Sequence, residues 1–558
     1  MSLRRLFSLL WISLALGLAI GMGGLRDPGK AATFTIIFWG MVFFVEGGVR
    51  FSRGGLWTAL AAWSLASALM NPSAGPAALA VSARFWLAAA FFACAVSAHG
   101  FARVAGMMAA LAGAVGAAAV YYQAFAGLPL AGMIPPNPNY TAALAGAGAS
   151  LLVVSGAAGK GRSRWLLWGG ALFMAGAVAL LNSRGAFLAG WAALTWAFFS
   201  SGRRRAGYAV LLSPLLLAAL LPQESLYSLL KIGDANAYRR LDIWWTAVAA
   251  FAERPLSGWG PGSFGYAFEA LKFPAFNGVS FFGHSTVHAH SEPLQLLAET
   301  GLPGTALYLS AFWVCFRRSA RNVLAVPALF LFVHSCVDGV FYAWGLQLLM
   351  LACLAGAMGA LSPAEETPPP LFPKSPEQLR ARISRVLPAF AAAALAALSW
   401  QWMSRHGRDA ACSMSAKWDA SSRVECATRA IRFSPYREAL HLVRAEQLTA
   451  WSGSYAAGAA AAEAGLELLP SSAMLNFRAA GFYAAAGAGA RAEEKLRRAL
   501  YLEPNFARAR LSLAEVLEAS GRRAAAAAER SAARAAAALA PSSRSSYDRA
   551  ITQAPPGP

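Results

Sequence analysis

The chain has 558 residues, 57% hydrophobic and only 13% charged, with 48 Lys and Arg against 27 Asp and Glu, a formal net charge of +21. Soluble globular chains are closer to half apolar and about a quarter charged, so this composition excludes an ordinary soluble enzyme and points to a membrane. The basic excess calls for no nucleic acid, because Lys and Arg in short loops facing anionic lipid account for it.

Apolar runs of about 17–25 residues, the length that crosses a bilayer, recur from the N-terminus to residue 402. They fall near 6–25, 32–49, 54–70, 79–98, 103–126, 140–158, 165–181, 186–200, 207–221, 294–316, 323–340, 343–361 and 386–402. The expected fold is therefore all-α and polytopic, with about 12–13 transmembrane helices. Arg4 and Arg5 precede the first run as in a signal peptide, but no clear small-x-small cleavage site follows, so the run is read as a span.

Alternate connections carry Arg4, Arg5, Arg50, Arg53, Arg103, Lys160, Arg162, Arg164, Arg203, Arg204, Arg205, Arg317, Arg318, Arg321, Lys374, Arg380, Arg382 and Arg385. The short loops on the other side hold Arg26, Lys30 and Arg184. Basic residues stay on the cytoplasmic side. The N-terminus is then inside, and the long loop 222–293 and everything beyond residue 402 lie outside.

The second region is soluble and periodic. A Pro-rich segment, 362–385, precedes the last span at 386–402. Beyond it, Pro435, Pro470, Pro504 and Pro541 recur in similar frames between alanine-rich amphipathic helices. A period near 34 with helix-turn-helix content resembles tetratricopeptide repeats, here over 403–541. The Ser/Pro-rich tail 542–558 is expected to be disordered. Cys412 and Cys426 are near enough in sequence to face each other across a helical hairpin. A disulfide and two buried thiols are both open readings. Cys94, Cys315, Cys336 and Cys353 lie in spans and read as small apolar residues.

The stretch that raises the chemical question is Phe282–Thr305, FGHSTVHAHSEPLQLLAETGLPGT, with His284, His288 and His290 close together. Ser291 reads as the N-cap of a following helix that has Glu292 and Pro293 in its first turn. Gly301 reads as the cap of the outer turn and Gly304 as a close-packing point. Upstream are "NPNYTAALAG" from Asn137, "LLNSRGAFLAG" from Leu180, and "RRLDIWWTAVAAFAERPLSGWGPGSF" from Arg239.

Together with the topology, these strings resemble the O-antigen ligase family, which includes lipid A-core ligases, Wzy-type polymerases and O-linked protein oligosaccharyltransferases. The resemblance covers roughly residues 30–361, so a catalytic domain is placed at 1–361, and the repeat domain stands outside the family pattern. It implies a GT-C-like membrane fold in a bacterial inner membrane, with the repeat domain periplasmic. It implies transfer of a glycan from undecaprenyl pyrophosphate to a hydroxyl of lipid A-core, of another glycan or of a protein, with inversion and without a metal or other cofactor. By motif, Arg184 and Arg240 carry over as pyrophosphate binders. Arg239 competes for the second role, because the Arg-Arg pair leaves the register ambiguous by one. His290 carries over as the catalytic base. His288, Glu299, Ser291 and Asn137 would support, and the repeats would bind an acceptor or a partner protein.

The residue types fit that chemistry. Negative charge grows on a pyrophosphate leaving group, and the planar guanidinium binds phosphate oxygens bidentately while staying charged. Imidazole titrates near neutral pH and can take a hydroxyl proton. Asn137 could equally cap a helix, Arg184 could be an interfacial arginine, and Trp259, Phe264, Phe281 and Phe282 could stack on sugar or sit at a membrane interface. Two other classes compete. A zinc enzyme would use His284, His288 and His290 as ligands. A transporter or flippase would need ionisable residues in mid-span, and the spans offer few: Glu46 lies near an inner end and Asp338 near an outer end.

Overall fold

The structure is a computed structural model that describes residues 3–21, 34, 38, 51–98, 100–130, 137–230, 239–359, 375–539 and 545–553. Most of the expected span 32–49 and of the Pro-rich segment lies outside the described residues. The chain divides into two compact units. The first comprises Met1–Met70, Ala77–Pro261 and His288–Trp400; the second comprises Asn71–Pro76, Gly262–Val287 and Gln401–Pro558.

The first unit is a bundle of apolar helices. Four are long and apolar enough to cross a membrane: Ala77–Ser97, Phe101–Phe125, Pro138–Ala158 and Ser163–Leu181. Shorter apolar helices include Leu56–Met70, Ala325–Val337 and Trp344–Gly359. The described chain is thus an all-α polytopic membrane protein.

Small residues let the helices close on one another, as bilayer packing requires. A Cβ at Gly113 would lie 2.9 Å from the Leu144 carbonyl and 3.2 Å from the Gly148 Cα, so the Phe101–Phe125 and Pro138–Ala158 helices meet backbone to backbone. Large apolar side chains such as Met107, Leu166 and Leu172 point out of the bundle, which suits a surface solvated by lipid. The last expected span lies within the 39-residue helix Pro376–Met414, which also takes in the final residues of the Pro-rich segment.

The second unit is built of helical hairpins. Its helices run Ala420–Phe433, Glu438–Ser452, Tyr455–Leu468, Ala473–Ala485, Gly489–Leu502, Ala507–Ala519 and Arg523–Ala537. The hairpin turns carry Gly453, Gly487 and Gly521, each at positive φ and each 34 residues from the next. The 34-residue period of the sequence is therefore the period of the hairpins, and the unit is tetratricopeptide-like. Cys412 and Cys426 form a disulfide with Cα atoms 6.0 Å apart.

The tail departs from expectation. Ser545 caps a short helix, Ser546–Thr552, accepting from the Asp548 amide, and Ile551 is fully buried. One apolar anchor and one cap overcome a composition that otherwise favours disorder.

Candidate active site

The site is assembled at one end of the first unit. Its centre is Asp338, at the C-cap of the Ala325–Val337 helix. One carboxylate oxygen, Oδ2, accepts from Arg240 Nη2 at 2.9 Å. The other, Oδ1, accepts from the Gly339 amide at 2.8 Å and faces His290 Nδ1 at 3.2 Å. Arg240 Nη1 donates to the Val337 carbonyl at 3.0 Å, so the guanidinium grips the helix end on two sides.

Asp338 is nearly buried, with 6% of its side chain exposed, while His290 keeps 36% and Arg240 31%. The carboxylate is thus a fixed support, and the two groups it joins remain reachable. Because Asp338 accepts at Nδ1, the Nε2 edge of His290 is the one left to act as a base.

The local chain explains how His290 comes to be there. His290 has φ 52°, one of two non-glycine residues at positive φ among those described. Left-handed backbone costs a residue with a Cβ about 1–2 kcal/mol, and such strain gathers at functional positions. Ser291 then occupies the N-cap of the Glu292–Ser319 helix by backbone position, without a side-chain cap bond. The preceding amide, of Ala289, donates to Gln295 Oε1 at 2.8 Å, and Gln295 Nε2 donates to Glu299 Oε1 at 2.7 Å. Glu299 therefore bears on the backbone beside His290 through Gln295.

Glu299 is itself held by backbone pairing. Trp259 and Gly260 amides donate to the Ala298 and Glu299 carbonyls at 2.9 and 2.8 Å, and Leu302 donates back to Pro255 at 2.9 Å. Two helical segments meet at Gly301, φ 69°, which closes the first of them as the sequence reading expects of a glycine cap. Gly304 packs as expected, with the Trp63 ring 3.0 Å from where a Cβ would stand. The Pro255–Gly260 string is thus a brace for the histidine-bearing helix. Trp259 is buried, and its indole donates to the Ala250 carbonyl, which makes it a packing residue.

Arg184 opens the Arg184–Ser200 helix behind Asn182, which is left-handed at φ 46°, and Ser183 at the N-cap. It is half-buried at a helix N-terminus, where the backbone favours an anion. Gly185 admits this helix to the bundle, since a Cβ there would stand 2.8 Å from the His334 ring. The Asp338 amide bonds to the His334 carbonyl at 3.0 Å. Arg184 therefore belongs to a helix that packs one turn below Asp338. Asn137 caps the Pro138–Ala158 helix through the Asn139 amide, 2.9 Å, and Asn139 accepts from Ser183 at 2.9 Å. The NPNY and SRG strings are thereby tied together.

Arg239 opens the Arg239–Glu253 helix, but its side chain lies outside the described residues. The other two histidines point to packing. His288 lies against the Tyr342 ring, centroids 3.7 Å apart, and His284 lies beside Phe268 and Phe273. Among the described residues no three His, Cys, Asp or Glu side chains converge as a metal site would require.

Sequence reasoning named Arg184, Arg240 and His290 but took Asp338 only for a charge near a span end, and it passed over Gln295. A carboxylate at a span end is costly unless it is used, and that was the available signal for Asp338.

Residues 169–309 match the family model described as O-antigen ligase. No curated relative matches the chain. Two solved structures titled as crystal structures of MamA show distant likeness. One is 16% identical with a TM-score of 0.20, over 21% of this chain and 68% of that one. The other is 14% identical with a TM-score of 0.22, over 29% and 85%. Likeness at that level carries nothing further. The matched span holds Arg184, Arg240, His290 and Glu299, so the similarity to the O-antigen ligase family lies over residues 169–309, where the site residues sit.

Proposed function

We propose that this protein is an inverting, metal-independent glycan transferase at the periplasmic face of a bacterial inner membrane. Its donor would be a sugar chain on undecaprenyl pyrophosphate, and its acceptor a hydroxyl. The observation that carries the reading is the bridge from His290 through Asp338 to Arg240. It sets a base beside a cation that suits a phosphate leaving group.

The step balances as follows. The acceptor oxygen forms a bond to the anomeric carbon as the carbon–oxygen bond to pyrophosphate breaks. The electron pair leaves with the pyrophosphate. The hydroxyl proton passes to His290 Nε2, and Asp338 stabilises the imidazolium that results. Arg240 spends two of its five N–H donors on Val337 and Asp338, and the remainder can take phosphate oxygens. Arg184 would add a second guanidinium at a helix N-terminus. Among acceptors, lipid A-core is the first reading. A growing polysaccharide or a protein would use the same donor chemistry.

The test is transfer by purified protein in vesicles from an undecaprenyl-pyrophosphate glycan to each of the three acceptor classes, with and without exhaustive chelation. Transfer to one class that survives chelation supports the proposal. Activity lost to chelator and restored by zinc would overturn it, and so would a protein that moves the lipid across the bilayer but forms no glycosidic bond.

A further inference from the structure

Residues 262–287 belong to the loop that leads into His288 and His290, yet they fall within the repeat unit. They lie along the joints between its hairpins. At the first joint the Tyr266 hydroxyl meets Ser434 Oγ at 3.0 Å, and its ring lies beside Tyr436. At the joint around Pro504 the Asn505 amide group donates to the Val279 carbonyl at 2.8 Å. There Glu503 accepts both the Phe281 amide, 2.8 Å at Oε2, and the Phe282 amide, 2.7 Å at Oε1. Beyond it, Asp548 of the terminal helix accepts from Ser280 Oγ at 2.6 Å and from the Asn277 side chain at 3.2 and 3.3 Å. Phe282 is 7% exposed and shares a core with Leu496, Leu502, Phe506 and Ile551.

Glu503 is the informative member, because its exposure is 0%. A buried carboxylate is stable only if donors face it. The donors that face Glu503 are the two loop amides and the Tyr547 hydroxyl, 3.2 Å away. Burial pushes its carboxyl above the ordinary carboxylate range, against the pull of those hydrogen bonds. A repeat stack that served only an outside ligand would have no use for a buried acceptor matched to two successive backbone N–H groups of this loop.

We propose that the repeat unit holds the histidine-bearing loop in place, with Glu503 as the positioning residue that pins Phe281 and Phe282 eight or nine residues ahead of His290. The repeats are then part of the transferase machinery. The activity arm of the test rests on the function proposed above; the docking arm does not.

The experiment uses the full-length protein in lipid nanodiscs and compares Glu503→Ala with Glu503→Gln. In the unsubstituted protein the Phe281 and Phe282 amides should be protected from hydrogen exchange. Glu503→Ala should speed their exchange by roughly 10–100-fold, the loss of hydrogen bonds to a charged acceptor read as an opening equilibrium. Protection within Ala507–Ala519 should remain, which separates loop release from unfolding. The turnover number should fall by roughly 10–100-fold, as misplacement of a reacting group does, with donor KM little changed. Glu503→Gln keeps one carbonyl acceptor and should recover part of both effects, which a loss of bulk stability would not do. Asn277→Ala, which leaves Glu503 in place and removes the bonds to Asp548 together with the loop's own turn bonds to Val279 and Ser280, should release the loop partially and serves as a second variant should Glu503→Ala unfold the repeats. Loop exchange that Glu503→Ala and Asn277→Ala both leave unchanged would overturn the docking. Full turnover with the loop released would overturn the positioning role. An unsubstituted protein that transfers no glycan yet shows Glu503-dependent protection would refute the function and leave the docking intact.

Discussion

The proposed base works through a residue that contributes no chemistry of its own. Asp338 decides which His290 nitrogen carries the proton and keeps Arg240 at the same helix end. Asp338→Asn would leave one acceptor and the same volume but no carboxylate to favour the imidazolium. Transfer should fall by roughly 10²–10⁴-fold, close to the loss expected for His290→Ala, because the two act as a unit. His284→Ala, at a ring packed beside Phe268 and Phe273, should leave transfer within about threefold if the fold is kept, the range of ordinary context effects. Initial rates on a single donor decide both. Equal damage from His284→Ala and His290→Ala would favour a three-histidine metal site instead.

At the scale of elements, the histidine-bearing helix depends on its break. Gly301 combines a positive φ with a backbone neighbour, the Leu256 carbonyl, where a Cβ would have to go. Gly487, at a repeat hairpin turn, has a similar φ, but nothing stands within 4 Å of its Cβ position. Gly487→Ala should therefore cost only the left-handed penalty, about 1–2 kcal/mol. Gly301→Ala should cost that and the clash as well, and should also disturb the pairing that steadies Glu299. Thermal unfolding in detergent, read beside transfer rate, separates the two; equal costs would mean that the break is not braced by the Pro255–Gly260 string. A second element carries a pH dependence. His441 Nε2 donates to the Pro435 carbonyl at 2.6 Å, and burial, the largest influence, holds its pKa below the ordinary value of about 6.5. A lowered folded-state pKa means that the unfolded chain binds the proton more readily. The contribution is complete above the unfolded value and is lost as pH falls through the folded one. Protection factors in Glu438–Ser452, corrected for the pH dependence of intrinsic amide exchange, should fall as pH drops from about 7 to about 5, and His441→Gln should flatten that slope. Protection factors that fall as pH rises over the same range would contradict the sign.

At the scale of the whole molecule, the orientation proposed from basic loop residues is open to direct measurement. A reporter active only in the periplasm should be active when fused after Ser404 and silent after Ser163. The reverse pattern would put the His290 end of the bundle on the wrong side for the proposed donor. The sequence by itself determined the features that are local in the chain. Apolar runs become helices because a bilayer leaves the backbone no other partner, and the 34-residue period survives as glycine-turned hairpins. Arg184, Arg240 and His290 could be named because each sits in a short string that resembles a motif of the O-antigen ligase family. Tertiary structure alone decided which distant groups meet. Asp338 is 48 residues from His290 and 98 from Arg240, and Glu503 is more than 200 from the loop amides it accepts. Its isolation in the chain made Asp338 look like a stray charge, and the acidic residue at a repeat joint looked like any other. The reason is physical: a carboxylate's role is set by the donors that face it once water is excluded, and the folded chain alone chooses those donors.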